Sequence, residues 1–232
     1  MSAESRQPSA STPAGTPAAS APAEIAQAAA AVCEVGRRLW QQGLVAGSEG
    51  NISVRLSDGT LLVTPTGVSK SFLTPEMLVH LSAAGEPISG HLRPSSEVRM
   101  HLAALAARPD VQACVHAHPV HATAFAVAGR APDATLMPEA SVFLGEVALA
   151  PYGTPATDEV PAALAPLWAG HHSFLLANHG ALTLGSDLWR ALYRMEQLEH
   201  YCAILLAAAA LGGPHPLTAA QLAQLATQRQ GA

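Results

Sequence analysis

Aromatic side chains are scarce in this sequence, at 4%, so alanine, valine and leucine must do most of the packing among the 49% of residues that are hydrophobic. Charged residues amount to only 12% and leave a net charge of -5 with histidine neutral. That balance gives no electrostatic case for nucleic acid or an anionic membrane as a partner. Lysine is nearly absent: Lys70 is the only one, in what reads as a polar turn. Cysteine is limited to Cys33, Cys114 and Cys202, far apart, odd in number and without a CxxC pair. Neither a disulfide framework nor a thiolate zinc site follows from them, and reduced thiols in the cytoplasm are the expectation. No apolar run reaches the length of a membrane span; Ile204–Leu211 is short and lies within an amphipathic helical pattern. Met1–Pro22 has no apolar signal core, and its Ala/Ser/Pro/Thr composition cannot bury enough surface to offset ordering entropy, so a disordered tail is expected there. The remaining residues, 23–232, suit a single domain.

Within that domain, apolar positions recur at helical spacing from Glu24 to about Gln42, and Gly43 is a stop. Ile52–Arg55 alternates as a strand does, and Asp58-Gly59 reads as a hairpin turn returning through Leu61–Thr64. Ser95 or Ser96 caps a helix that runs to about Ala107. Val111–His118 is predicted as a buried strand, followed by a helix opened by Pro119. A helix from Thr157, a strand over Ser173–Ala177, a long helix over Asp187–Leu211 and a short one over Thr218–Thr227 complete the pattern. Strands and helices alternate irregularly, which predicts a mixed α/β layered domain.

The segment Val115-His116-Ala117-His118 carries the main chemical signal. Side chains at i and i+2 of a strand share a face, so both imidazoles converge on one point and offer a metal two preset ligands. Ordinary hydrogen bonds would also satisfy such a pair. His179 ends an apolar strand and precedes a glycine, either as a third ligand or as a turn histidine. Proton transfer then needs a carboxylate, and Glu97 stands at a helix start, where acids also occur simply because of the helix dipole. His101, one turn on, reads as structural. His121 is a weak ligand candidate, and His171 and His172 read as surface residues. Gly50-Asn51 and Thr66-Gly67 offer backbone N–H groups, and Ser95-Ser96 adds hydroxyls at a helix N-terminus, so these segments suit a phosphate. No Walker loop, nucleotide-binding GxGxxG or HExxH is present.

In order, Ser48–Ser53, Thr64–Gly67, Pro94–Glu97, His116-Ala117-His118 and His179-Gly180 resemble the class II aldolase/adducin family, in its L-fuculose-1-phosphate aldolase branch. The resemblance runs from about Ala26 to Ala207. It implies a three-layer α/β/α domain with a central mixed, largely antiparallel sheet. It implies Zn²⁺, or Mn²⁺ or Co²⁺, held by His116, His118 and His179, and a phosphate held by Gly50, Asn51, Thr66, Gly67, Ser95 and Ser96. The implied activity is retro-aldol cleavage of a ketose 1-phosphate to dihydroxyacetone phosphate and an aldehyde. The enediolate is stabilised by a Lewis acid and Glu97 moves the proton. A cytoplasmic homotetramer is implied as well. Where this branch carries a tyrosine that assists at the aldehyde end, the chain has Met137, so an apolar aldehyde portion is expected, or a proton source such as Tyr152 or Tyr201. An epimerase, a dehydratase or a decarboxylase would use the same centre, and an adducin-head-like interaction module would not use it at all.

Overall fold

The computed structural model describes residues 20–229. The tail expected over 1–22 therefore falls outside the described residues except for its last three, where Pro22 already opens the first helix. That helix, α1 (Pro22–Gln41), has proline in its first turn, where the missing N–H costs nothing. It buries Val32, Val35 and Leu39 along one stripe, as the 3.6-residue period requires. Glu24 ties its start to the turn beyond the first strand by accepting from the Ser57 N–H at 2.7 Å.

Eight strands form one sheet: β1 (Asn51–Arg55), β2 (Leu61–Val63), β3 (Val79–Leu81), β4 (Pro87–Ser89), β5 (Ala113–Ala117), β6 (Val147–Ala150), β7 (Ser173–Leu176) and β8 (Gly180–Gly185). Their spatial order is β4-β3-β2-β1-β5-β8-β7-β6, and only the β6–β7 pair is parallel. The Asp58-Gly59 hairpin is present: Gly59 has φ +85° and Asp58 Oδ1 accepts from the Thr60 N–H at 2.9 Å. The other helices are α2 (Val98–Ala107), α3 (Val120–Val127), α4 (Glu159–Leu164), α5 (Leu188–Ala210) and α6 (Ala219–Arg229).

Two hydrophobic clusters sandwich the sheet. One joins α1, α3 and α5 to Ile52, Ala113, Val115, Ala117 and Leu175. The other joins α2 and α4 to Cys114, Phe174, Leu176, Leu182 and Leu184. The alternation along β5 is the two-residue period of a pleated strand, and it makes the architecture a three-layer α/β/α domain with a mixed, largely antiparallel sheet. Small and branched residues dominate both layers, with Trp168 and Phe174 as an edge-to-face aromatic pair, centroids 5.3 Å apart. Asp187 caps α5 by accepting from the Arg190 N–H at 2.8 Å, and Thr183 Oγ1 donates to the Ala191 carbonyl at 2.7 Å, pinning that helix to β8.

Two expectations fail. Helix α2 has Glu97, not Ser95 or Ser96, at its N-cap position, and no side chain caps it. Lys70 does not sit in a polar, solvated turn: it is 1% exposed. Helix α1 presses on its segment at Gly36, where an added Cβ would lie 2.9 Å from the Lys70 carbonyl oxygen. Among the described residues no helix is long and apolar enough to cross a membrane.

Candidate metal centre and active site

Three backbone features bring the histidines together. Strand β5 delivers His116 on the α2 side of the sheet, and the chain continues through His118 before α3 begins. The hairpin between β7 and β8 delivers His179 from a tight turn in which Asn178 takes φ +57°, a left-handed conformation that asparagine tolerates better than most residues. Gly180 then lets the two segments close up: an added Cβ would lie 2.5 Å from His118 Cδ2 and 2.7 Å from the Ala117 carbonyl oxygen. Pairing of Asn51 with His116 across β1 and β5 sets the Gly50-Asn51 loop against the same point. Gly50 is required there, since it has φ +74° and a Cβ would meet the His116 carbonyl oxygen at 2.8 Å.

The outcome is a compact group in which one ligand atom from each of His116, His118 and His179 lies within 4.8 Å of the others. Its ring centroids are 4.8 to 5.0 Å apart. The hydrogen bonds at the far side of two rings fix their tautomers. His116 Nδ1 lies 2.8 Å from the Ala181 carbonyl oxygen, which can only accept, and His118 Nδ1 lies 2.8 Å from the Glu49 carboxylate. Both Nδ1 atoms therefore carry the proton, leaving the Nε2 lone pairs of His116 and His118 facing each other at 3.1 Å. The Glu97 carboxylate adds negative charge 3.3 Å from His116 Nε2 and 3.2 Å from His179 Nε2. Lone pairs and a carboxylate converging this closely need a cation or protons among them. The donor set, three imidazoles and a carboxylate oxygen, fits a divalent ion.

Glu97 occupies the N-cap position of α2, yet its side chain makes no capping bond. It turns inward, where Asn51 Nδ2 donates to Oε2 at 2.9 Å. Burial works against its ionised form, but where protons rather than a metal ion occupy the Nε2 atoms of His116 and His179, the hydrogen bonds and charge of those rings outweigh burial and hold the carboxyl well below the usual range. Burial also lowers the His118 pKa, reinforced by His116 and opposed by Glu49, so a neutral, ligating ring is favoured.

The segments expected to hold phosphate adjoin one another. The Ser95 N–H donates to the Thr64 carbonyl and the Thr66 N–H to the Arg93 carbonyl, each at 3.0 Å, which lays the Thr66-Gly67 turn beside Ser95-Ser96. Thr66, Gly67 and Ser96 are exposed and Ser95 is buried, its hydroxyl accepting from the Glu97 N–H at 3.3 Å. Gly50 and Asn51 are buried below them. Asn51 spends its amide on Glu97, and its buried Oδ1 has no protein partner.

The remaining histidines stay apart from this group. His101 is fully buried with Nδ1 2.6 Å from Ser53 Oγ, and burial pushes its pKa down to about 3. His121 pairs with Glu199, whose carboxylate also accepts from the N–H groups of His121 and Ala122 at the start of α3. His171 is held by the Leu167 carbonyl, and His172 meets Arg108. Of the two tyrosines weighed as proton sources, Tyr201 donates its hydroxyl to the Asp133 carbonyl, and burial raises its pKa to about 12. Tyr152 is 59% exposed.

Sequence reasoning assigned no role to Glu49. The available signal was an acid directly before Gly50, in a loop whose strand pairs with the histidine strand. It also gave none to Lys70, whose ammonium donates to the carbonyls of Ser48 at 3.1 Å and Val68 at 2.8 Å.

Residues 30–206 match the family described as Class II Aldolase and Adducin N-terminal domain. The 3-oxo-tetronate 4-phosphate decarboxylase of Escherichia coli (strain K12) is 35% identical over 198 residues, covering 82% of this chain and 91% of that protein. The L-fuculose phosphate aldolase of the same strain is 35% identical over 175 residues, covering 75% of this chain and 80% of that protein. A solved L-fuculose 1-phosphate aldolase superposes with a TM-score of 0.80 at 28% identity, over 91% of this chain and 98% of that one. With the family matched over most of its length and relatives of this similarity, the chain belongs to the class II aldolase/adducin family.

Proposed function

We propose that this chain is a metal-dependent carbon–carbon lyase whose substrate is a small phosphorylated keto compound. In this reading His116, His118 and His179 hold a divalent ion, zinc, manganese or cobalt, which supplies Lewis acidity at the substrate carbonyl. The observation that carries the proposal is the Glu97 carboxylate, drawn off its helix end and held by Asn51 within 3.3 Å of two ligand nitrogens. A proton-transfer group at that position lies next to wherever the substrate oxygens bind. Thr66, Gly67, Ser95 and Ser96, with Gly50 and Asn51, receive the phosphate.

Two leaving groups lead to one enediolate. Retro-aldol cleavage of a ketose 1-phosphate takes the proton from the C4 hydroxyl and breaks C3–C4, so the electron pair passes into the enediolate of dihydroxyacetone phosphate. Loss of CO2 from a 2-hydroxy-3-oxo acid 4-phosphate breaks C1–C2, leaves the electron pair on C2 and gives the same enediolate. In both, Glu97 passes a proton to the carbon that lost its neighbour. Only the retro-aldol step needs a base at a hydroxyl. Met137 stands where the aldolase branch is expected to have a tyrosine, and it packs against the core. That substitution favours a leaving group already carrying its charge, a carboxylate. The similarity to L-fuculose phosphate aldolase supports cleavage of a ketose with an apolar aldehyde end as the second reading.

The test is to supply metal-loaded protein with 3-oxo-tetronate 4-phosphate, L-fuculose 1-phosphate and 5-deoxyribulose 1-phosphate, then follow dihydroxyacetone phosphate with a coupled dehydrogenase. Dihydroxyacetone phosphate with CO2 supports decarboxylation, and with an aldehyde it supports the aldolase. A sugar returned intact but inverted, or dehydrated, replaces both with an epimerase or a dehydratase. Protein that takes up no divalent metal points to an adducin-head-like interaction module. The reading extends to a cytoplasmic homotetramer with sites near subunit interfaces; exposed Trp40, Phe72 and Phe143 offer apolar surface for a subunit contact, and light scattering showing a monomer would remove the tetramer.

A further inference from the structure

We infer that Lys70 is a positioning residue for an anionic substrate group, a buried cation that clamps the Gly47–Asn51 loop to the Thr66–Ser69 turn and faces a phosphate bound between them. The inference rests on the proposed phosphate-taking site and adds to it a residue that none of the phosphate-binding segments contains. Three observations carry it. Lys70 is 1% exposed, one of the largest fully buried side chains and the only charged one among the described residues. Among the described residues its ammonium bonds only neutral partners, the Ser48 carbonyl from one loop and the Val68 carbonyl from the other, at 3.1 and 2.8 Å. Glu49 and Glu97 act on it through space without a salt bridge.

A buried ammonium is costly unless it is compensated, and two carbonyl dipoles compensate less than an anion would. Both carboxylates that face it are committed elsewhere, Glu49 to His118 and the Ala46 N–H, Glu97 to Asn51, His116 and His179. Burial lowers the Lys70 pKa to about 8, with Glu49 and then Glu97 opposing it, so the ammonium remains charged at neutral pH. A phosphate dianion settling on the exposed Thr66 and Ser96 hydroxyls and the Gly67 backbone supplies the missing negative charge. The packing of Gly36 against this segment makes the clamp rigid: a Cβ there would lie 2.9 Å from both the Lys70 carbonyl oxygen and Leu73 Cδ1.

Because the chain has a single lysine, lysine labelled with ¹⁵N and ¹³C gives one side-chain signal in the wild-type, metal-loaded protein. Titration with inorganic phosphate is expected to shift that signal saturably, with the midpoint equal to the phosphate inhibition constant. In Lys70→Met the inhibition constant for phosphate and the KM for the phosphorylated substrate are expected to rise about tenfold or more, the scale for losing a charged hydrogen-bonding group, with kcat falling less. Phosphate that inhibits wild type without moving the lysine signal overturns the inference, as does a Lys70→Met protein that loses only thermal stability. Phosphate that neither inhibits nor shifts the signal overturns the phosphate site itself, and the substrate panel then shows whether lyase activity survives without it.

Discussion

Replacing Glu49 by glutamine isolates one negative charge behind one proposed metal ligand, His118. Glu49 Oε2 accepts from His118 Nδ1 at 2.8 Å while Oε1 accepts from the Ala46 N–H at 2.7 Å. Glutamine has one acceptor oxygen for these two donors. If it faces His118, the Ala46 N–H meets an amide NH2. If it faces Ala46, His118 is offered a donor, and the ring is driven toward the tautomer that protonates Nε2, the atom that must ligate. Either arrangement also removes the charge that raises the basicity of the ring. Substitutions of this kind typically weaken metal affinity about 10–100-fold, or about 1.4–2.7 kcal/mol. Competitive zinc titration against a chromophoric chelator measures it directly, with circular dichroism confirming an unchanged fold. Glu49→Ala loses both bonds, so its loss should be at least as large. An affinity for Glu49→Gln within twofold of wild type would refute the reasoning, since the tautomer would then be set without Glu49.

Glu97→Gln should keep the metal and lose about 10²–10⁴-fold in kcat, the usual contribution of a general acid–base group; normal turnover would remove it from that role. His118→Ala should abolish tight metal binding, seen as a drop in metal content of the purified protein. Gly180→Ala forces the His118 ring or the Ala117 carbonyl to move, since the contacts are 2.5 and 2.7 Å, and should cost about 1–3 kcal/mol of stability together with metal affinity, read by thermal and metal titrations. His101 is held neutral by burial, with its pKa lowered to about 3. The unfolded chain therefore binds more protons between about pH 6.5 and 3, and stability falls as pH drops through that window. In metal-free protein, urea midpoints against pH should show that loss, and His101→Phe should flatten it.

Much of the fold was legible because its patterns have simple causes. The stripe of α1, the Asp58-Gly59 turn, the proline opening α3 and the Asp187 cap each announce themselves locally. Strand β8 did not: Gly180–Gly185 is buried at every position, so no alternation marks it, although it is the strand whose Ala181 carbonyl holds His116. Strands β3 and β4 are three residues each, too short for a period to register. The histidine cluster was legible because His116 and His118 are two apart along one extended segment and His179 abuts a glycine. Glu49 and Lys70 were not, since an acid in a loop and a lysine in a turn are solvated in most chains. Here α1 and the β5 segment cover them, a tertiary effect that no local window contains.

The same geometry explains why one centre suits several reactions and why the reaction itself must be decided elsewhere. His116 is fixed by a strand and by the Ala181 carbonyl, His179 by a hairpin turn, His118 by Glu49 and the Gly180 contact, and Glu97 by Asn51. These anchors hold the histidines and Glu97 themselves and none is a group for a particular leaving group, so under the proposed function each serves cleavage, epimerisation and decarboxylation alike. Selectivity among leaving groups then falls to residues beyond the reach of that framework. Met137 is the residue the sequence singles out there, because a thioether neither accepts a hydroxyl proton nor returns one. Under the proposed function, a chain with an enediolate-forming centre but no hydroxyl base at that position is better matched to a substrate whose leaving group has shed its proton before binding.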